Sequence, residues 1–510
     1  MKVSLARLSQ FLVLTLTAIA IPVTANANNR SPSSPAWESA DCSTFGLVPL
    51  VAALSDCGYV TVPEHHNRPK DRTIQLAVVR TRSIGDNPAP DPLMMEQGGP
   101  GGSTIGLFPS KIVPFTNVGT AILQQRDMVF VEQRGTQFSR PALTCPERVD
   151  HNVAVAKGEL EFTDSSWITA CGDRLTATGV NFSAFNSIEN AADLYVVAEV
   201  LGYKQFNFYG ASYGTLLGQY VLAQADEHPV KLRSLILDGV IRPDVDFNLG
   251  SSYSISQALR NVFTACAQDA QCKQNYPNLE AVFLSLVDRL NQQPIPAKLT
   301  NPNTQKTFDI LLDSKDFAYA VVSYLYSTED SRFLPRNLYL ADQNNDFAWV
   351  EEKLSAGLAE DGATGMYSAV LCARTASVTV DPATVFPAPY PQLAFFGSQE
   401  KALVDRSCEV LQAELEPPFT YANTEIPTLV LNGQLDPVTP EVYGQAVASN
   451  LKNPYIYTFP GVGHVSLVAK ANTTGAACAQ AIALDFLTDP NRPPDSGCLA
   501  EVKPVFELAD

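Results

Sequence analysis

The stretch Lys204-Gln205-Phe206-Asn207-Phe208-Tyr209-Gly210-Ala211-Ser212-Tyr213-Gly214-Thr215 decides how this chain is read. Its first half alternates polar and apolar residues as a short strand does. Beyond it, Leu216, Leu217, Tyr220, Val221 and Gln224 recur at helical spacing. Between the two lies Gly210-Ala211-Ser212-Tyr213-Gly214, a Gly-x-Ser-x-Gly pattern. A strand that turns sharply into a helix at such a pattern leaves one serine hydroxyl exposed at the carboxyl edge of a sheet. Small residues at Gly210 and Gly214 let strand and helix pass closely where side chains would collide. The pattern alone is short enough to arise by chance, and an ordinary strand-to-helix turn would look the same.

Histidine scarcity adds weight to Ser212. The chain has 5 histidines: His65, His66, His151, His228 and His464. In the α/β-hydrolase order the acid and the histidine both follow the serine. This removes the first three, and His228 follows too soon after the elbow helix to leave room for another strand. His464 remains, in Gly461-Val462-Gly463-His464-Val465 after the strand-like Tyr455 to Pro460. The acid belongs between Ser212 and His464. Ile426 to Asn432 is a continuous apolar run, as expected of a strand buried on both faces of a parallel sheet. It ends in Gly433-Gln434-Leu435-Asp436-Pro437, so Asp436 occupies a strand-end loop from which a carboxylate can orient an imidazole. The rival is Asp238, at the end of Ser234-Leu235-Ile236-Leu237, which would serve equally as an acceptor for loop amides. Upstream, the strand Pro92 to Glu96 runs into Gln97-Gly98-Gly99-Pro100-Gly101-Gly102-Ser103. The expected oxyanion donors are the backbone amides of Gly99 and Tyr213. No Gly-Lys-Ser/Thr follows this loop, which argues against a phosphate cradle.

Several blocks carry a family resemblance: Gln97 to Ser103, Val131-Glu132-Gln133-Arg134-Gly135-Thr136-Gln137-Phe138-Ser139, Gly210 to Gly214, Gly433 to Pro440 and Gly463-His464. In this order they resemble the secreted tripeptidyl aminopeptidases and proline iminopeptidases, over roughly residues 40 to 500. Two positions depart from the pattern. Gln97 stands where proline iminopeptidases usually carry histidine, and Glu132 where aspartate is usual. The resemblance implies a serine exopeptidase that removes short peptides or single residues from free N-termini, with Ser212, His464 and Asp436 as its triad. An exopeptidase of this kind must also recognise a cationic amine. Glu329 and Asp330, flanked by Tyr324 and Tyr326, are the candidate carboxylates, with a solvated helix end as the alternative reading.

Composition agrees with an exported enzyme. Met1 to Ala27 reads as a secretion signal: Lys2 and Arg7 form the basic start, Phe11 to Ile21 the apolar segment, and Ala25-Asn26-Ala27 the cleavage site. No later stretch reaches the ~18 apolar residues of a membrane span. A periplasmic or extracellular location follows. The 10 cysteines are even in number and none forms a C-x-x-C site. Local proximity pairs Cys42 with Cys57, Cys145 with Cys171, Cys266 with Cys272, Cys372 with Cys408, and Cys478 with Cys498. The net charge of -18 repels nucleic acid and anionic membranes; it would suit substrates with a free amino terminus, but solubility of an exported protein is the simpler reason for it. Nothing calls for a cofactor or a metal.

The expected fold is α/β, an α/β-hydrolase with a mostly parallel sheet and a large helical cap inserted between strands. Strands are expected at Tyr59 to Pro63, Thr73 to Arg82, Leu93 to Glu96, Met128 to Glu132, Phe206 to Tyr209, Ser234 to Asp238, Thr428 to Asn432 and Tyr455 to Phe459. Helices fall between several of them, implying a sheet covered on both faces. Between Asp238 and Pro427 strand signals vanish and helical periodicity takes over, over far too many residues for a loop. The expected division is a signal at 1–27, a core at 28–240, a mainly helical cap at 241–425 and the rest of the core at 426–510. Two other classes stay open: a carboxylesterase or lipase with the same triad, marked by apolar cap walls and no amine-binding carboxylate, and a non-catalytic binding protein, usually marked by a broken triad.

Overall fold

All of the runs read as strands enter one sheet. In chain order the strands are β1 (Trp37–Ser39), β2 (Ser55–Pro63), β3 (Thr73–Thr81), β4 (Leu93–Glu96), β5 (Met128–Val131), β6 (Gln205–Ala211), β7 (Lys231–Asp238), β8 (Ile295–Thr300), β9 (Thr307–Leu312), β10 (Thr428–Gly433) and β11 (Pro454–Phe459). The computed structural model describes residues 35–112, 116–359, 362–469 and 473–508, so the signal expected over 1–27 lies outside the described residues. The 9-stranded sheet runs β1-β2-β3-β5-β4-β6-β7-β10-β11. Its β1 to β3 edge is antiparallel, and β3 also meets β5 antiparallel. From β5 onward every neighbouring pair is parallel. β4, β5 and β10 are buried along their whole length, which is why their sequences are mostly apolar, with Glu96, Thr428 and Asn432 the polar exceptions.

Register determines where the site forms. Ala211 lies beside Asp238, Asp238 beside Leu431, and Gly433 beside Phe459. The carboxyl ends of β6, β7, β10 and β11 therefore finish together, and the loops that follow them meet at one edge of the sheet. Ligands of open parallel sheets bind at this edge.

The long stretch after β7 is mostly helical, with helices at Ser251–Gln268, Leu279–Gln292, Ser314–Tyr326, Leu334–Asn344, Ala348–Ala356, Thr364–Ala373 and Phe395–Leu411. Two features correct the expectation. First, strands do occur there: β8 and β9 form an antiparallel two-stranded sheet. Ala297, Leu299, Ile310 and Leu312 are buried while Lys298 and Asp309 face water, the two-residue period of a half-buried strand. Second, the stretch does not pack as one body. Leu259, Phe283, Phe317 and Leu338 share a core of their own. Ala363, Met366, Ala369 and Val370 instead join Leu143, Trp167 and Leu175 in the core under the sheet. β1 is a further strand beyond those expected, paired with β2 through Trp37 and Val60.

The five cysteine pairs named from their spacing are disulfide-bonded. Cys372–Cys408 ties helix Thr364–Ala373 to helix Phe395–Leu411, both of which reach the site described below. Among the described residues no helix is long and apolar enough to cross a membrane.

Candidate active site

Ser212 sits between β6 and helix Tyr213–Ala223 with φ 56 and ψ -121, a conformation L-residues seldom adopt. The tightness of the turn explains the glycines: a Cβ on Gly210 would stand 2.0 Å from the Gly214 carbonyl oxygen. Ser212 N–H donates to the Asp238 carbonyl at 3.0 Å, which anchors the elbow to β7. The residue is 9% exposed, and it opens on a cavity.

His464 and Asp436 meet at the same edge. Nδ1 of His464 lies 2.8 Å from Asp436 Oδ2, with both side chains buried. Asp436 is saturated with donors: the amides of Val438 and Thr439 reach Oδ1 at 2.8 Å each, and the Thr439 hydroxyl reaches Oδ2 at 2.5 Å. Such a carboxylate is held in one orientation and stabilises a cation on the ring facing it. Nε2 of His464 is buried with no hydrogen-bond partner among the described residues, and the ring lines the cavity that Ser212 opens on. The loop is fixed from the insertion side as well. His464 N–H donates to the Tyr326 carbonyl at 3.0 Å, Gly463 N–H to the Thr328 hydroxyl at 3.0 Å, and the Tyr326 ring lies 4.5 Å from the imidazole.

The glycine-rich loop after β4 runs beside the elbow. A Cβ on Gly98 would stand 2.4 Å from Ser212 Cβ and 3.0 Å from the Tyr213 amide nitrogen, so only glycine lets the loop lie against both. Gly99, with φ 114, lines the cavity. Tyr213 opens the elbow helix, where an amide has no intrahelical partner. The loop is held from behind by the Glu132-Gln133 segment. Glu132 Oε2 accepts from Ser103 Oγ at 3.1 Å and Ile105 N–H at 2.9 Å, while Gln133 Nε2 donates to the Gln97 carbonyl and to Glu96 Oε2, both at 3.1 Å. Burial pushes the Glu132 carboxyl up to about 7, against the lowering pull of the Ile105 amide and the Ser103 hydroxyl. The same burial raises Glu96 well above the ordinary range. From the insertion, Ala363 N–H donates to the Gly101 carbonyl at 2.8 Å.

The cavity holds about 480 Å³. Its floor is Ser212, His464 and the glycine loop, and its walls include Trp167, Tyr367, Leu403 and Val404. Among the described residues, two acidic or basic side chains besides His464 line it, Arg148 and Glu400. Burial raises the Glu400 pKa, opposed by the Arg148 cation. The carboxylates expected near the site are Glu329 and Asp330, whereas the one that lines the cavity is Glu400. Those two begin helix Thr328–Ser331, where Asp330 pairs with Lys353 at 2.7 Å and Glu329 accepts from Ser327 Oγ, and neither lines the cavity. Their neighbour Tyr326 lines the cavity directly, and Thr328 is bonded to the His464 loop. Glu400 carried a signal in the sequence: Glu400, Leu403, Val404 and Ser407 fall on one face of a helix, and all four line the cavity. Nothing in that stripe says which surface it faces.

The rival acid Asp238 is buried at the end of β7 and does not contact His464. Its carboxylate takes the amides of Ser466 and Leu467, the Ser466 hydroxyl and the Tyr209 hydroxyl. Burial raises its pKa while those donors lower it.

Comparison with known proteins agrees with this architecture. Residues 91–263 match the alpha/beta hydrolase fold model and residues 394–498 match the model described as TAP-like protein. The two matches bracket most of the insertion and contain Ser212, Asp436, His464 and the glycine-rich loop. The serine protease Hip1 of Mycobacterium tuberculosis is 26% identical over 468 residues, 86% of each chain. The tripeptidyl aminopeptidase of Streptomyces coelicolor is 28% identical over 221 residues, 41% of this chain and 38% of that one. Carboxylesterase B of Mycobacterium tuberculosis is 25% identical over 533 residues, 97% of each chain. With its sheet order, its serine elbow and these two matched segments, the chain has the α/β-hydrolase fold and is similar to the TAP-like hydrolases.

Proposed function

We infer that the protein is an exported serine exopeptidase that removes short peptides or single residues from free N-termini. One observation carries this: the unengaged Nε2 of the His464–Asp436 pair and the Ser212 hydroxyl open on one small cavity whose wall also holds a carboxylate, Glu400. Ser212 attacks the scissile carbonyl while His464 Nε2 takes its proton, and Asp436 holds the Nδ1–H and stabilises the imidazolium. The Gly99 and Tyr213 amides receive the developing oxyanion, an interaction worth roughly 3 kcal/mol per donor. His464 returns the proton to the leaving amine, and water then releases the acyl group from Ser212. Glu400 pairs with the substrate ammonium, whose charge offsets the burial that raises the carboxyl pKa. The enclosed volume suits a short peptide rather than a folded chain. Five disulfides support an oxidising, exported setting. The names of the Hip1 and tripeptidyl aminopeptidase relatives support peptide substrates.

Aminoacyl, dipeptidyl and tripeptidyl chromogenic amides, each with free and acetylated amino ends, test the assignment beside short-chain esters. Acetylation should lower kcat/KM at least roughly a hundredfold, about 2.7 kcal/mol of transition-state binding. Glu400→Gln should erase most of that discrimination. Equal cleavage of free and blocked peptides would refute the exopeptidase assignment. A second assignment, carboxylesterase, draws support from the apolar walls at Trp167, Leu403 and Val404 and from the carboxylesterase relative. Preference for simple esters over every amide would select it.

A further inference from the structure

Val465, the residue after His464, has φ 68. The left-handed region is uncommon for any side chain and a true outlier for a β-branched one, because the branched Cβ crowds the backbone. Val465 is buried and lines the cavity. Left to itself this residue would return to an extended conformation and carry the imidazole with it, so something has to hold it.

The residues that hold it are on both sides. Before Val465, His464 N–H is tied to the Tyr326 carbonyl at 3.0 Å. After it, Ser466 N–H reaches Asp238 Oδ1 at 2.8 Å, Ser466 Oγ reaches Oδ1 at 2.9 Å, and Leu467 N–H reaches Oδ2 at 2.7 Å. Tyr209 OH completes the set at 3.1 Å to Oδ2. A buried carboxylate accepting several charge-assisted bonds is a stiff anchor. The same residue also takes the Ser212 amide on its backbone carbonyl at 3.0 Å. The chain around it touches the ring too: a Cβ on Gly239, the next residue, would stand 3.2 Å from His464 Cε1. Asp238 is thus bonded to the elbow through its main chain and to the histidine loop through its side chain.

We propose that Asp238 is a positioning residue for the reaction: its carboxylate clamps Ser466 and Leu467, holds Val465 in the left-handed turn, and so keeps the His464 imidazole registered against Ser212. The proposal rests on Ser212 and His464 being nucleophile and base, and goes beyond it by assigning a task to a second acid that never touches the ring. A purely structural Asp238 would affect melting alone. A positioning Asp238 affects turnover, because a displacement of about 1 Å in a reacting group can lower the rate roughly a hundredfold.

Glycine adopts φ near 68 without strain, which supplies the test. Asp238→Asn, assayed well below its melting temperature on a chromogenic amide, should lower kcat roughly a hundredfold with KM within a few-fold. Val465→Gly in the wild-type background should lower kcat severalfold, since it loosens the backbone beside the base. In the Asp238→Asn background the same change should raise kcat at least roughly tenfold, because the turn no longer needs the clamp. That reversal of sign is the result expected. Should Asp238→Asn fail to fold, Ser466→Ala removes one donor and keeps the backbone contacts, and should show about a threefold lower kcat that Val465→Gly again restores. The proposal is overturned if Val465→Gly lowers kcat in both backgrounds, or if Asp238→Asn melts earlier with kcat unchanged. Labelling of the wild type by a fluorophosphonate checks the underlying assignment separately: modification at Ser212 sustains it whatever the clamp does, and modification elsewhere refutes it.

Discussion

Replacing Asp436 by asparagine keeps the size of the side chain and removes its charge. The structure dictates how the amide must sit. Oδ1 takes the backbone amides of Val438 and Thr439, both at 2.8 Å, and Oδ2 takes the Thr439 hydroxyl at 2.5 Å and His464 Nδ1 at 2.8 Å. Turning the asparagine –NH2 toward the two backbone amides would leave two buried donors facing a third, at about 1–3 kcal/mol for each unmet group. The Thr439 hydroxyl, by contrast, can rotate and accept. The asparagine oxygen therefore faces the backbone amides, and its –NH2 faces His464 Nδ1. That nitrogen then has to accept, so the ring proton moves to Nε2, the atom needed to receive a proton from Ser212. A preference of about 2–6 kcal/mol for this arrangement leaves few molecules with a competent tautomer, and the expected loss in kcat is about 10⁴, or roughly 5.4 kcal/mol of barrier. KM should stay within a few-fold, since the substrate meets the cavity walls and not Asp436. Steady-state kinetics on a chromogenic amide, with circular dichroism to verify folding, measure both. A loss smaller than tenfold, or a loss confined to KM, would refute the tautomer argument and with it the role given to Asp436.

Ser212→Ala should abolish turnover and fluorophosphonate labelling with the fold intact. Ser212→Gly should be equally inactive but more stable than the alanine variant by about 1 kcal/mol, because glycine relieves the strain at φ 56; a less stable glycine variant would contradict that strain. Glu132 keeps its proton up to about 7 in the folded protein, above its ordinary value of 4.5, so its contribution to stability is full below pH ~4.5 and is lost as pH rises through ~7. Glu132→Gln should flatten the fall in unfolding free energy across that window by up to about 1.4 kcal/mol per pH unit, and an unchanged slope in denaturant titrations would show that the carboxyl is not neutral there. Removing Cys372–Cys408, which closes a separation of 36 residues, should cost about 4 kcal/mol, against about 2 kcal/mol for Cys266–Cys272 with a separation of 6. Equal penalties in guanidinium melts would exclude loop entropy as the source of the difference.

What the sequence determined by itself is local. The alternation before Gly210 and the helical spacing after it mark the turn at Ser212, the apolar runs mark the strands, and the cysteine pairs close separations of 6 to 36 residues. Such signals depend on neighbours along the chain and survive without knowledge of the rest. The β8–β9 hairpin was legible in the same way, through the alternation of Ala297, Lys298 and Leu299, but the surrounding helical periodicity masked it. The sequence favoured Asp436 over Asp238 by its place just before the histidine strand, and the tertiary structure shows what each carboxylate touches. Asp238 ends β7 and Asp436 lies in the loop after β10, and the fold places Asp436 on the His464 ring and Asp238 on Ser466 and Leu467. It also decided which carboxylate reaches the cavity: periodicity shows that a helix has a face, as with Glu400, Leu403 and Val404, but not what that face meets. Glu329 and Asp330 look as suitable in the sequence, yet the position of Lys353 and the packing of Thr328 on the histidine loop leave them outside. Contacts between residues distant along the chain are set by how packed elements exclude one another, and no stretch of sequence contains that information on its own.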